Sequence, residues 1–244
     1  SEQELAIVEL ETAIPALNDA ITTAQAIHGG AVEGTDPGEY EVGSKATYQT
    51  AITSAQAIAT DVNAGVDDEE AIAKLADVNA AIAELEAATT TFEAAKVLNL
   101  GAEILDNGDF ATNDDTGWGL DAGTEGTMDY SSGSAVFTST TGPHANDWAV
   151  QFHQSHELTD TKTYLLSFDY SASEDNSNFN VAIETAGYSR QVDEAIVATT
   201  EVQTFKKQYT QDGTQSMKLN ILLGKLDNGQ ILTLDNISLK EVLD

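Results

Sequence analysis

Two near-copies of one short phrase bracket the second half of the chain. Leu105-Asp106-Asn107-Gly108-Asp109-Phe110 stands near its start and Leu234-Asp235-Asn236-Ile237-Ser238-Leu239 at its close. Between them the apolar runs alternate with period two: Met128/Tyr130, Ala135/Phe137, Trp148/Val150/Phe152, Tyr164/Leu166/Phe168, Phe179/Val181/Ile183, Phe205/Tyr209, Met217/Leu219/Ile221/Leu223 and Leu232/Leu234. Such alternation marks strands that bury one face and show the other to water. Short loops rich in Gly, Asn, Asp and Thr divide them, so about nine strands fit within about 140 residues. A two-sheet jelly-roll sandwich over residues 98–244 is the economical fold.

Residues 1–97 follow a different period. Only three of the sixteen aromatic residues fall here, Tyr40, Tyr48 and Phe92. The stripe Ile72, Leu75, Val78, Ile82, Leu85 and Phe92 keeps three- and four-residue spacings, which predicts a helix with one apolar face. Asp67 and Glu70 are placed as its capping box. A second helix is expected from Ser44 to about Val62, and a first from Glu2 to Ile27, kinked or split at Pro15. The segment Ala20–Ile27 recurs as Ala51–Ile58 with the single change of Thr23 to Ser54. One helix type used twice suits a bundle of three. The expected fold is therefore multidomain, an N-terminal three-helix bundle followed by a C-terminal β-sandwich.

The chain carries 41 acidic and 10 basic residues, for a net charge of -31. The excess is spread through both halves. Such a field repels phosphate backbones, which argues against nucleic acid and anionic membranes and favours a neutral polysaccharide over an anionic one. A solvated surface adapted to salt water is the plain reading of the charge. With no cysteine there is no disulfide framework and no thiolate chemistry. No apolar run reaches the length of a membrane span, so no insertion by this chain is expected. Ser1 with no signal-peptide core reads as the start of a processed or trimmed piece of something larger.

The second half resembles the carbohydrate-binding modules grouped as families 4, 9 and 22. Four phrases carry the resemblance in order: Asn107-Gly108-Asp109-Phe110 with Gly117-Trp118, then Asp147–Phe152, then Lys162–Asp169, then Leu234–Leu239. Ala111 departs from the acidic residue common after the Phe. With its Pro37-Gly38-Glu39-Tyr40 loop, the helical half resembles the FIVAR modules of secreted and cell-surface bacterial proteins, usually spacers or accessory modules.

The resemblance implies a cleft across one sheet for neutral β-glucans or xylans. Aromatic rings would pack on the apolar faces of the sugars, each contributing about 1–3 kcal/mol by analogy with base stacking. Polar side chains would bond the hydroxyls. Strand parity selects the candidates. With Val150 and Phe152 inward, Gln151 and His153 face the cleft; with Phe179, Val181 and Ile183 inward, Asn180, Ala182 and Glu184 do; with Met217, Leu219 and Ile221 inward, Lys218, Asn220 and Leu222 do. The resemblance puts stacking platforms at Trp148 and Tyr188. Trp148 shares parity with the core, so it serves only at a strand edge or on a bulge. Arg190, the lone arginine, either forks onto two hydroxyls or forms an ion pair. Trp118 is expected in the core.

Relatives often hold one structural calcium where the first and last strands meet, which places Asp109 and Asp235 as ligands. Catalysis is not expected. There is no Gly-x-Ser-x-Gly elbow, His-Glu-x-x-His motif or phosphate loop, and His153 and His156 fall on opposite faces of one strand. The sequence thus points to a non-catalytic glycan-binding protein, secreted or lipid-anchored at a bacterial surface through a removed N-terminal segment. It would act in a polysaccharide-utilisation system beside other modules or outer-membrane glycan-uptake proteins. Laminarin-like β-1,3-glucan is the first ligand, mixed-linkage glucan or xylan the second. The alternatives are a structural or adhesive module and the accessory region of a larger glycoside hydrolase.

Overall fold

A computed structural model describes residues 2–67 and 69–243 and divides the chain into two compact units, Ser1–Asn99 and Leu100–Asp244. The first holds helices α1 (Glu2–Gly30), α2 (Ser44–Asn63) and α3 (Ala71–Ala94). Helix α1 continues through Pro15 without being split. The capping box at Asp67 and Glu70 does not form. Glu70 takes the N-cap position with no side-chain bond, and its backbone N–H donates to the Asp67 carbonyl at 2.9 Å.

Val78, Leu85 and Phe92 of the α3 stripe are buried, while Ile72 is exposed. The unit's three aromatics make one stack, with Phe92 centred 4.3 Å from Tyr40 and 4.5 Å from Tyr48. Tyr48 also shares a 2.8 Å hydrogen bond with Thr89, so its buried hydroxyl is satisfied.

The second unit is a sandwich of two antiparallel sheets. The strands are β1 (Leu100–Glu103), β2 (Gly119–Asp121), β3 (Gly126–Asp129), β4 (Ala135–Ser139), β5 (Gln151–Leu158), β6 (Thr163–Ala172), β7 (Ser177–Thr185), β8 (Arg190–Ala198), β9 (Gln203–Thr210), β10 (Gln215–Leu222) and β11 (Ile231–Val242). One sheet runs β3-β4-β11-β6-β9, with β1 also paired to β11; the other runs β2-β5-β10-β7-β8. Among the described residues eleven strands stand where about nine were expected: β1 and β2 are too short to carry an alternating run, and β8 buries Val192 and Ile196 four residues apart without one.

The core lies between the sheets. Phe137, Leu166, Phe168, Leu232 and Leu234 come from the first sheet, and Phe152, Phe179, Val181, Ile183, Leu219 and Ile221 from the second. Trp118 is buried and stacks on Phe152 at 4.6 Å between centroids.

The bracketing phrases meet. Ile237 N–H donates to the Gly108 carbonyl at 2.8 Å, and Ile104 N–H to the Leu239 carbonyl at 3.0 Å. Asn107 and Asn236 both take left-handed backbone conformations (φ 48° and 50°). Asparagine tolerates that region better than most residues, which gives its recurrence in both phrases a physical reason. The opening phrase is also tied to the other sheet. Buried Gln154 accepts from Asp106 N–H at 2.7 Å and donates to the Asp106 carbonyl at 3.0 Å, which the Trp118 indole N–H also reaches at 3.0 Å.

Gly108 is needed for close approach, since a Cβ there would fall inside the van der Waals shell of the Ile237 carbonyl oxygen. Gly108→Ala should therefore cost about 2–3 kcal/mol of stability, read as a lower calorimetric midpoint. An unchanged midpoint would show that the two phrases have slack between them.

Candidate functional site

The face of the five-stranded sheet opposite the core carries the side chains that parity assigns to it. Gln151 pairs with Leu222 across β5 and β10, His153 with Asn220, Lys218 with Glu184 and Asn220 with Ala182. One residue breaks the strand logic usefully. Trp148 lies in a single 3-10 turn, Asp147–Ala149, before β5 begins at Gln151. Strand parity therefore does not govern its ring, which is 54% exposed.

Tyr188 stands 80% exposed on the turn between β7 and β8. Its backbone is left-handed (φ 62°), held by a 2.9 Å bond from its N–H to the Thr185 carbonyl. For a tyrosine that conformation costs roughly 1–2 kcal/mol, and retained strain of this kind gathers at functional positions.

Trp148, Gln151, Glu184, Tyr188 and Arg190 line one hollow of about 550 Å³. The volume falls in the range that holds a small ligand. A polar network fixes its floor. The Gln151 amide donates to the Trp148 carbonyl at 3.0 Å, and its oxygen accepts from Lys218 Nζ at 2.9 Å and Asn220 Nδ2 at 2.7 Å. Asn220 Nδ2 also reaches Glu184 Oε1 at 2.8 Å. Both Glu184 and Asn220 are buried, and the Asn220 Oδ1 has no hydrogen-bond partner. An unpaired buried acceptor carries a desolvation cost, which the two bonds from the Asn220 amide nitrogen offset only in part.

Arg190 forms the ion pair rather than presenting a free fork. Its Nη1 and Nη2 donate to the two Asp147 oxygens at 2.9 and 3.3 Å, and Nη1 also reaches Asp193 at 2.9 Å. Its Nε stands 3.7 Å from Glu184. Burial raises the Asp147 carboxyl, but the Arg190 bonds and charge and the Trp148 N–H outweigh it and leave the group below the usual carboxylate range. The Asp147 hydrogen bond in turn holds the guanidinium above its ordinary value.

His153 and Asn180 lie apart from this hollow. His153 bonds Asp121 on β2 at 3.1 Å and covers Gly119, where a Cβ would sit 2.7 Å from the ring. Asn180 lines a second hollow of about 470 Å³ with His144, Asn178, Ala195 and Lys225. Asp147, Asp193 and Asp121 are the functional neighbours that sequence reasoning missed. Among 41 acidic residues no local pattern marks them; the one available signal was that a lone arginine must find carboxylate partners.

The two aspartates that the resemblance implies as calcium ligands line hollows that adjoin at Asn236: Asp109 with Glu103, Asn107 and Lys240, and Asp235 with Ser134, Asp169 and Tyr170. Asp109 accepts from Ala111 N–H, and Asp235 from Asn236 N–H and the Ser134 hydroxyl. Among the described residues no group of three or more His, Cys, Asp or Glu is placed to hold a metal.

The sandwich, the two exposed rings and the polar floor between them meet the physical needs of sugar recognition, and comparison with known proteins accords with this. A family model described as carbohydrate binding domain matches residues 102–228. The chain belongs to that family. Carbohydrate is accordingly its ligand class, and domains of this kind are generally non-catalytic.

Among solved structures, one described as CBM4 structure and function is 22% identical, covering 56% of this chain and 99% of that one at a TM-score of 0.49. The N-terminal cellulose-binding domain of β-1,4-glucanase C from Cellulomonas fimi is 20% identical, covering 59% and 99% at 0.48. The CBM22-1 xylan-binding domain of Xyn10C from Paenibacillus barcinonensis is 14% identical, covering 60% and 97% at 0.42. No curated protein matches. Among the described residues no helix is long and apolar enough to cross a membrane.

The His153 ring, beside Asp121 and Lys218, offers a test of the electrostatics of this sheet face. Burial, and then the Lys218 charge, push its pKa below 6.5, with Asp121 opposing. A base depressed on folding adds stability above its unfolded pKa, and that stability is lost as the pH falls through the folded value. An NMR titration of the His153 ring should give a midpoint below 6.5. Relative to His153→Gln, the wild type should lose stability as the solution is acidified. A midpoint at or above the ordinary histidine value would overturn this account.

Proposed function

We propose that the sandwich binds a neutral polysaccharide without catalysis, with laminarin-like β-1,3-glucan first and mixed-linkage glucan or xylan second. The observation that carries the reading is the hollow itself, where exposed Trp148 and Tyr188 accompany a polar floor of Gln151, Glu184 and Asn220. Apolar ring faces meet the C–H faces of pyranoses, and amide and carboxylate groups meet their hydroxyls. The net charge of -31 supports a neutral chain over a uronate polymer. A purely structural or adhesive module would be better served by buried rings, since exposed aromatic surface is costly when nothing uses it.

The setting that suits such a domain is a bacterial surface or secreted polysaccharide-utilisation system, beside other modules or glycan-uptake proteins. The helical unit would serve there as a spacer. Affinity electrophoresis against laminarin, barley β-glucan, xylan and cellulose tests the ligand. Laminarin should retard the protein most, with a micromolar to millimolar Kd, or roughly -8 to -4 kcal/mol. Retardation by none of the four would overturn the reading. Trp148→Ala should weaken binding about tenfold or more. Tyr188→Gly should also weaken it while leaving stability equal or higher, because glycine accepts the left-handed backbone freely.

A structural calcium held by Asp109 and Asp235 with the help of backbone carbonyls is a separate proposal. It predicts a higher melting temperature in millimolar calcium than in chelator. Coincident melts would remove it.

A further inference from the structure

The register along β7 sets three levels on the site face. Asn180 lies opposite Ala195, Ala182 opposite Asp193, and Glu184 opposite Arg190. The Asn180 level belongs to the second hollow and the Glu184 level to the Trp148–Tyr188 hollow. Between them, Ala182 has no side chain beyond Cβ and is fully buried. The Arg190 guanidinium is held at this middle level by Asp193, and it reaches from there to both oxygens of Asp147. Asp147 and Trp148 share one turn, and Tyr188 precedes Arg190 by two residues. The ion pair therefore links the two segments that carry the aromatic rings, and its Asp193 partner stands at the strand level between those of the two hollows.

Hydrogen bonds between ions are roughly twice as strong as neutral ones, so a sugar hydroxyl is a poor competitor for this fork. The pair is also partly shielded, with side-chain exposures of 21% for Arg190 and 16% for Asp147. Arginine is suited to such a role because its planar fork fixes direction as well as distance.

We propose that the Arg190–Asp147 pair is a strap: it holds the Trp148 turn and the Tyr188 turn at a set separation and closes the hollow toward Asn180, so that the site takes a short neutral segment. Arg190 is then a positioning residue. Its part in specificity rests on the glycan reading above, whereas its hold on the Trp148 turn does not. Removing it should loosen both walls and open a path into the hollow at Asn180, His144 and Lys225.

Acrylamide quenching of tryptophan fluorescence in the full chain without sugar reads the strap directly, because Trp118 is buried and Trp148 is not. Arg190→Gln should raise the quenching of Trp148 clearly above wild type, with Arg190→Lys between the two. Calorimetric titration with laminaritriose and laminarihexaose then reads specificity. The glutamine variant should lose roughly tenfold on the triose, the cost of ordering two freed side chains, and less on the hexaose. If Arg190→Gln fails to fold, Arg190→Lys supplies both readouts.

Unchanged quenching, together with equal losses on both sugars, would overturn the strap and make Arg190 a direct sugar contact. Wild-type protein that binds neither sugar would overturn the β-1,3-glucan reading, while raised quenching in the variants would still uphold the strap's hold on Trp148.

Discussion

Strand β11 is the constraint on which the sandwich depends. It pairs with β1, β4 and β6, so half of one sheet is organised on a single strand. Its Asp235-Asn236-Ile237 segment departs from regular register, and there the chain turns its Ile237 N–H to the Gly108 carbonyl. That contact admits no side chain at Gly108. The first and last phrases of the domain are thereby joined, and Gln154 and Trp118 carry the tie through Asp106 to the five-stranded sheet. Both sheets are held together at one corner by backbone polarity as well as by the apolar core.

The site rests on the opposite logic. Its floor is formed by regular strands, whose two-residue period delivers Gln151, Glu184, Lys218 and Asn220 to one face. Its walls come from irregular segments, the 3-10 turn at Trp148 and the left-handed turn at Tyr188. A rigid floor with loop-borne rings is a common division of labour in binding domains. Here the irregular pieces are bonded to each other through Asp147 and Arg190 rather than left to fluctuate separately. Glu184 and Asn220 are buried, and their mutual hydrogen bond lies where water competes least.

Much of this was legible from pattern. Alternation placed Phe152, Val181, Ile183, Leu219 and Ile221 in the core, and their neighbours on the site face, because a pleated strand leaves no other choice. Three- and four-residue spacing placed Val78, Leu85 and Phe92 inward, although Ile72 on the same stripe is exposed near the helix start. Local pattern was a weaker guide. Pro15, expected to kink or split α1, leaves it a single helix. The Asp67–Glu70 capping box yields to a helix that begins at Ala71.

The sequence by itself determined the two periods, the division into helical and sandwich units, and the face on which each strand residue lies. Those are properties of neighbours along the chain, set by backbone geometry and apolar burial. Only the tertiary structure decided that Trp148 escapes strand parity, that His153 and Asn180 stand outside the main hollow, and that Arg190 is committed to Asp147 and Asp193. These depend on which carboxylate among 41 comes within a few ångströms of one guanidinium. Charge pairing acts through space and leaves no periodic trace in the chain.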